Sequence, residues 1–253
     1  MAISSRRGGP ADDGPLLVLV HGLGATYRVW DGLTATLDPS WSWVAPDLPG
    51  HGDSAPLEER YSFGGLAGAL AEILDDRPVV ILGHSLGGVV GLELAGGQYG
   101  VDVTGVCGLG IKVRWTDAEL AKAAELAARP AKVFGTRAEA VDRALRVAGL
   151  TGLVDPDSPV ATSCVTETDG GWRLALDSGA FAVGRPGMKA LLASAQAPVV
   201  LAAGEHDPMS PVEHLRELVP DPVILPGVGH NAQVEQPSAL VPILERIRPD
   251  PGN

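Results

Sequence analysis

The sequence predicts an α/β fold, in which helices flank a mostly parallel central sheet of about seven strands. Short apolar runs bounded by turn residues are typical of strands that are buried on both faces of a parallel sheet. Helix-like stretches alternate with these runs, and such alternation favours parallel strands joined by right-handed crossovers. The alternation stops after Gly110 and resumes at Pro198, which predicts a helical insertion between those two points.

The core elements follow one another in chain order. Apolar runs that end at turn residues predict the strands Leu16–Val20, Trp43–Ala45, Val79–Leu82, Val103–Leu109, Pro198–Ala203 and Pro222–Leu225. Only 15 residues precede Leu16, so Ala2–Arg7 supplies at most one more strand. The stretches between the runs predict the helices Ser62–Leu74, Leu86–Ala95, Pro211–Leu218 and Pro237–Ile247.

The 87 residues from 111 to 197 are predicted to form a mainly helical cap, whereas residues 1–110 and 198–253 form the core. The segment 111–197 carries 11 basic and 10 acidic residues, against 8 and 21 in the rest of the chain. This difference in charge supports a separate layer over one edge of the sheet. The alternative is that its helices extend the layers that flank the sheet, although crossovers are usually far shorter.

Local signals place elements within this segment. Thr116 with Glu119, and Thr136 with Glu139, form capping boxes that predict two helix starts. The polar stretch Thr166–Leu176 predicts a loop or a short hairpin, and Ser178–Ala193 predicts further helix.

Composition argues against several classes of protein. The net charge of −12 argues against non-specific binding to nucleic acid, whose phosphates would be repelled. The sequence contains no run of 18 apolar residues, so it predicts no membrane span. The first 14 residues do not resemble a secretory signal. Cys107 and Cys164 lack metal-ligand spacing, which predicts free thiols in a reducing cytoplasm, although a bridge between them is an alternative. Monomer and homodimer both stay open.

The motif Gly83-His84-Ser85-Leu86-Gly87 lies between a predicted strand and a predicted helix. This is the context of a nucleophile elbow, a sharp turn that exposes a serine hydroxyl and needs small residues on either side. The elbow also leaves the backbone N–H of Leu86 at a helix start, where it can face negative charge. The alternative is a glycine-rich turn with an idle serine.

A serine nucleophile needs a base, and the base needs an acid. Of six histidines, His230 lies in a loop after the last predicted strand, where side chains from neighbouring parallel strands gather. Asp207 follows the preceding strand and is held by Pro208, and we prefer it to Glu205 because it lies further beyond the strand end. The order Ser85, Asp207, His230 is the order expected for this architecture. A turn-capping role is the alternative for Asp207.

The glycine-rich turn His21-Gly22-Leu23-Gly24 follows the strand Leu16–Val20. Such a turn allows a backbone N–H, here that of Leu23, to approach an oxyanion opposite Leu86. Read by itself, the stretch also fits a plain turn between strand and helix.

Together these motifs resemble the α/β-hydrolase superfamily, and specifically its small cap-bearing bacterial hydrolases. The similar stretches are LLVLVHGLG, APDLPGHGDS, VVILGHSLGG, VLAAGEHDP and LPGVGHNAQVEQP, in family order. The resemblance implies that the loop Asp47–Ser54 is structural. It also implies a sheet trimmed at the N-terminal edge, because family members often have two strands before the strand that leads to His-Gly.

The motifs therefore predict a serine hydrolase of the carboxylesterase type, with Ser85 as nucleophile, His230 as base and Asp207 as its partner. It would cleave an ester, thioester or lactone of a small, largely apolar substrate without metal or organic cofactor. Alternatives with the same triad are a carbon–carbon bond hydrolase and a cofactor-free perhydrolase or hydroxynitrile-cleaving enzyme, and a small-molecule receptor on this fold is a further one. The candidate pocket walls, each of which also fits core packing, are Tyr27, Trp30, Trp115, Phe134, Trp172, Phe181 and Met209.

Overall fold

The computed structural model describes residues 2–10 and 14–249; positions 1, 11–13 and 250–253, which the predicted core includes, lie outside that part. The strands in the described part are β1 (Ser5–Gly8), β2 (Leu16–Val20), β3 (Ser42–Pro46), β4 (Val79–His84), β5 (Val103–Leu109), β6 (Val165–Thr168), β7 (Gly171–Leu174), β8 (Val199–Gly204) and β9 (Val223–Leu225). Seven of them form one sheet in the order β1-β3-β2-β4-β5-β8-β9. The pair β1–β3 is antiparallel and the other pairs are parallel, which confirms the predicted sheet.

Helices lie on the connections between these strands. The α-helices are α1 (Asp31–Thr34), α2 (Phe63–Ala71), α3 (Leu86–Leu94), α4 (Asp117–Ala127), α5 (Arg137–Ala148), α6 (Pro159–Ser163), α7 (Met188–Ser194), α8 (Val212–Arg216), α9 (Ala232–Glu235) and α10 (Val241–Ile247). Short 3₁₀ turns span Tyr27–Trp30, Ser178–Ala182 and Pro237–Leu240. The predicted core helices are therefore present, with shorter bounds, and the last one begins as a 3₁₀ turn.

Alternate residues of the central strands supply two apolar layers. Leu17 and Leu19 of β2 pack into one buried cluster, whereas Leu16 and Val18 pack into the other. All five residues of β2 are buried, because each face of the strand lies under helices. This burial explains the continuous apolar runs in the sequence, because a strand that is covered on both faces needs no polar side.

The segment 111–197 lies between β5 and β8. Its two capping boxes are confirmed at the starts of α4 and α5, where Thr116 and Thr136 accept from the backbone N–H of Glu119 and Glu139. Helix α5 buries an apolar face and ends at Gly149, whose φ of 70° is left-handed, a conformation that favours glycine. Strands β6 and β7 form the hairpin that was one of two predictions for this stretch. Helix α4 has no buried residue.

Within the described ranges, no helix is long and apolar enough to cross a membrane. The parallel strands β2, β4, β8 and β9 all run toward the same edge of the sheet, so the loops that follow them meet there. These loops carry the predicted site residues.

Candidate active site

Ser85 occupies a strained turn between β4 and α3. Its φ of 50° and ψ of −111° lie outside the regions that L-residues prefer. Over residues 2–10 and 14–249 it is the one non-glycine residue with a positive φ. Backbone strain of this kind costs about 1–3 kcal/mol and persists where the surrounding structure enforces it.

The neighbouring glycines are required by close backbone approach. A Cβ atom at Gly83 would overlap the carbonyl of Gly87, and a Cβ atom at Gly87 would overlap the carbonyl of Val20. Neither overlap can be relieved by a side-chain rotation, since both involve backbone atoms. The Gly-x-Ser-x-Gly pattern thus follows from the close approach of Gly83 to Gly87 within the turn and of Gly87 to the end of β2.

Asp207 and His230 contact each other through one hydrogen bond. The Asp207 Oδ2 atom lies 2.9 Å from His230 Nδ1, and because the carboxylate accepts, Nδ1–H donates. The unprotonated Nε2 of a neutral His230 is then available as a base. The Asp207 side chain is fully buried, whereas that of His230 is 15% exposed, so the ring has access to the adjacent cavity.

The loop after β8 fixes the carboxylate of Asp207. Its other oxygen, Oδ1, accepts from the backbone N–H groups of Met209 at 2.8 Å and Ser210 at 3.1 Å. Glu205, the rival acid in the sequence, instead accepts from the N–H of Gly227 at 2.9 Å. The structure therefore brings Asp207, and not Glu205, to His230.

His84 supports the backbone of His230. Its Nε2 lies 2.8 Å from the His230 carbonyl oxygen, so Nε2–H donates and Nδ1 is the unprotonated atom. Burial, and then the neighbouring His230, hold the pKa of His84 well below its usual value, which keeps this ring neutral. Among the described residues, no partner reaches His84 Nδ1, which is buried and close to Gly22.

Two backbone N–H groups near Ser85 are unused by the protein. In the described part of the chain, no backbone hydrogen bond employs the N–H of Leu23 or of Leu86. Leu86 is the first residue of α3, where the helix dipole favours negative charge. Both residues line the same cavity as Ser85.

A cavity of about 420 Å³ lies against Ser85 and His230. The core contributes its floor, including Gly22, Leu23 and Leu86, and residues from 111–197 contribute much of the remaining wall. A volume in this range accommodates a small organic molecule.

Three of the seven predicted wall residues line this cavity, namely Trp115, Phe181 and Met209. The other four lie elsewhere. Trp30 is fully buried and packs into a core cluster that also contains Leu17 and Leu19 of β2. Tyr27 lines a separate cavity beside Asp47. Phe134 and Trp172 exchange backbone hydrogen bonds of 2.7 and 2.9 Å within 111–197 and pack into its apolar interior.

The structure adds cavity residues that the sequence prediction did not include. Phe63 is the first residue of α2 and Arg60 lies in the loop before it, whereas Lys112, Arg146 and Val147 come from 111–197. The N-cap Ser62, whose hydroxyl accepts from Gly65 N–H at 3.0 Å, marks the start of α2 in the sequence. No local pattern indicates that this start faces the serine.

Loops next to the site contain a buried histidine pair. The rings of His21 and His51 lie 5.1 Å apart, and burial lowers their pKa values to about 4 and about 3. His21 Nε2 accepts from Leu48 N–H at 2.9 Å, so His21 holds the loop Asp47–Ser54 against the turn after β2. Burial also raises the pKa of Asp47 to about 6, although N–H groups of Tyr27 and Asp53 oppose this.

Within the described ranges, no cluster of three or more His, Cys, Asp or Glu side chains could hold a metal ion. Both cysteines, Cys107 and Cys164, are free and buried.

Solved structures with this fold come from several kinds of hydrolase. The thioesterase domain from the curacin biosynthetic pathway superposes with a TM-score of 0.76 at 21% identity, covering 96% of this chain and 95% of that one. An esterase of Mycobacterium tuberculosis superposes with a TM-score of 0.74 at 24% identity, covering 97% and 88%. At these identities the likeness concerns the fold.

Among characterised sequences, the pimeloyl-[acyl-carrier protein] methyl ester esterase of Neisseria meningitidis is 47% identical over 77 residues, which cover 30% of this chain and 24% of that protein. An uncharacterised protein of Mycobacterium tuberculosis is 39% identical over 88 residues, covering 34% and 26%. The chain thus matches about a quarter of the length of these relatives. The family model described as "Alpha/beta hydrolase family" matches residues 17–243, so the chain belongs to the α/β-hydrolase family.

Proposed function

We propose that this protein is a serine hydrolase that cleaves an ester, thioester or lactone of a small substrate through an acyl-enzyme. The observation that carries the proposal is the strained Ser85, at φ 50°, beside the same cavity as His230. The closely packed Gly83 and Gly87 permit this conformation. A nucleophile that must project from the sheet requires it.

The proposed reaction uses each group in one role. Ser85 Oγ attacks the substrate carbonyl, and His230 Nε2 takes the hydroxyl proton. Asp207 keeps Nδ1 protonated and stabilises the imidazolium that forms. His230 then donates its proton to the departing alkoxide or thiolate, which leaves an acyl-Ser85. A water molecule, deprotonated by His230, attacks this acyl group; the bond from the acyl carbon to Ser85 Oγ then breaks, His230 returns the proton to Oγ, and the acid is released.

The free N–H groups of Leu23 and Leu86 support a role as the oxyanion hole. They lie in the turn after β2 and at the start of α3, next to Ser85. Loss of one such donor typically lowers the rate by about 10²–10³-fold. Because both donors are backbone groups, substitution of either side chain leaves the N–H in place.

The segment 111–197 is proposed to act as a cap that selects the substrate. It supplies Trp115 and Phe181 to the cavity, and these aromatic side chains favour an apolar acyl or alkoxy group. The local similarity to a methyl ester esterase supports an ester as the first substrate to test.

The experiment compares the wild type with Ser85→Ala and with Ser238→Ala, a control at an exposed serine that lines no described cavity. A panel of short p-nitrophenyl esters, a thioester, a lactone and a β-diketone is assayed, and labelling by a fluorophosphonate is followed by intact mass. We expect turnover and labelling in the wild type and Ser238→Ala only. Ester turnover by Ser85→Ala at the wild-type rate would refute the proposal. Turnover of the diketone alone would favour carbon–carbon bond hydrolysis, and binding without turnover would favour a receptor.

A further inference from the structure

The charged residues that line the cavity all carry the same sign. Of the residues that the structure describes, no acidic one lines it and four basic ones do: Arg60, Lys112, Arg146 and Arg185. The whole chain has 31 acidic and 19 basic residues, so a random selection of four would contain acidic residues more often than not. The cavity is therefore a basic site within an acidic protein.

Carboxylates outside the cavity pair with three of these cations. The pairs are Lys112–Glu119, Arg146–Asp142 and Arg185–Asp117. Lys112 is also stacked over the ring of Trp115, 4.9 Å from its centroid, and contact with Lys112 is the main cause that lowers the pKa of Glu119 to about 2. These three cations thus have anionic partners already.

Arg60 differs from them because it has no partner. In the described part of the chain, no hydrogen bond or ion pair involves its guanidinium. It precedes Phe63, which begins α2 and also lines the cavity. The neighbouring acidic residues Glu58 and Glu59 are exposed and do not line the cavity.

We infer that the cavity binds an amphipathic substrate, an apolar acyl ester with an anionic group remote from the reacting carbonyl, and that Arg60 pairs with this anion. The inference rests on the proposed function and narrows its substrate class. A carboxylate and a phosphate share the chemistry that a guanidinium recognises, since both accept two parallel hydrogen bonds from it. The apolar walls would bind the chain between the ester and the anion.

The first test measures binding and needs no turnover. Hexylphosphonate, hexanoate and hexanol are titrated calorimetrically into the wild type, Arg60→Gln and Arg216→Gln. Arg216 is a matched control, because it is exposed, unpaired among the described residues and absent from the described cavities. The relative affinities of hexylphosphonate and hexanoate distinguish a phosphate-like anion from a carboxylate.

Because Arg60 is exposed, we expect Arg60→Gln to weaken binding of the preferred anion about 3- to 5-fold, the upper part of the range for an exposed ion pair. Hexanol binding and the Arg216→Gln variant should stay within about twofold of the wild type on the same reasoning. Added salt should weaken anion binding to the wild type more than to Arg60→Gln. Equal affinities for the anions in Arg60→Gln and Arg216→Gln would overturn the inference.

The second test measures hydrolysis of monomethyl adipate and methyl hexanoate, which differ by a terminal carboxylate. Arg60→Gln should lower kcat/KM for the first ester only. If Arg60→Gln hydrolyses both esters with the wild-type ratio of their kcat/KM values, the role of Arg60 is contradicted, whereas the proposal of a serine hydrolase still holds. If neither ester reacts but anion binding depends on Arg60, the anion site stands, and the hydrolase proposal fails only if the thioester and the lactone of the panel are not hydrolysed either.

Discussion

Gly110, at the end of β5, allows a direct test of whether the Asp207–His230 geometry controls the reaction. Its φ is 63°, and a Cβ atom there would lie 3.2 Å from Asp207 Oδ2 and 3.3 Å from His230 Nδ1. Gly110→Ala would therefore place a methyl group against the hydrogen bond that joins these two residues. At such distances the neighbours have to move by a few tenths of an ångström.

Two effects of this substitution can be separated. The left-handed backbone conformation costs a non-glycine residue about 1–2 kcal/mol, which lowers the free energy of unfolding. Displacement of Asp207 and His230 should lower kcat instead, if they act as proposed. Because a misplacement of 1 Å costs about 10²-fold, a shift of a few tenths of that distance should lower kcat roughly tenfold on the same scale.

Gly152→Ala is the matched control. Gly152 also has a positive φ, 78°, but a Cβ atom there would meet nothing within 4 Å. Urea unfolding should show a similar loss of stability for both variants, whereas the kcat of a short ester should fall only in Gly110→Ala. Wild-type kcat in Gly110→Ala, or an equal fall in both variants, would refute the reasoning.

The remaining predictions concern buried histidines. His84→Leu should lower kcat about tenfold through loss of the hydrogen bond to the His230 carbonyl, and His84→Gln, which keeps an N–H donor, should recover part of it; equal kcat in the two variants would contradict this role. The free energy of unfolding should fall as pH drops from about 6.5 toward 4. In this range the unfolded chain protonates His21 and His51, whereas the folded protein does not, because their pKa values are lowered to about 4 and about 3. Each histidine should contribute a slope of about 1.4 kcal/mol per pH unit. Asp47, whose pKa is raised to about 6, takes up a proton in the folded protein below pH 6. It therefore offsets the slope that one histidine contributes to the free energy of unfolding. His51→Gln should reduce the dependence of the free energy of unfolding on pH, measured by denaturant titrations at pH 7, 6 and 5. An unchanged pH dependence would show that His51 is not the cause.

Local sequence predicted the parts of the site that local structure determines. A strand, a Gly-x-Ser-x-Gly turn and a helix follow one another within 16 residues of β4 and α3, so Ser85 could be identified without any distant contact. Asp207 and His230 each follow a strand closely. Their approach to 2.9 Å required only that β8 and β9 are parallel neighbours, which is what the alternation of elements indicates.

The cavity walls could not be predicted in the same way. Trp30 and Trp115 are both aromatic residues near a helix start, yet Trp30 is fully buried in the core and Trp115 lines the cavity. Which side a ring faces depends on how its loop crosses the sheet edge. The sequence predicted a largely apolar substrate, and the four basic side chains of the cavity lining were not anticipated, because Arg60 and the cations of 111–197 come together only in the fold.

The order of strands explains why β5 supplies no reacting side chain and yet constrains the reaction. In the sheet, β5 lies between β4, which carries Ser85, and β8, which carries Asp207. The end of β5 is therefore the point over which the proposed nucleophile and the proposed acid–base pair must meet. A side chain at Gly110 would occupy that space, as the contacts of its hypothetical Cβ with Asp207 and His230 show. Glycine at this position is thus a requirement of the proposed chemistry that becomes visible only in the folded protein.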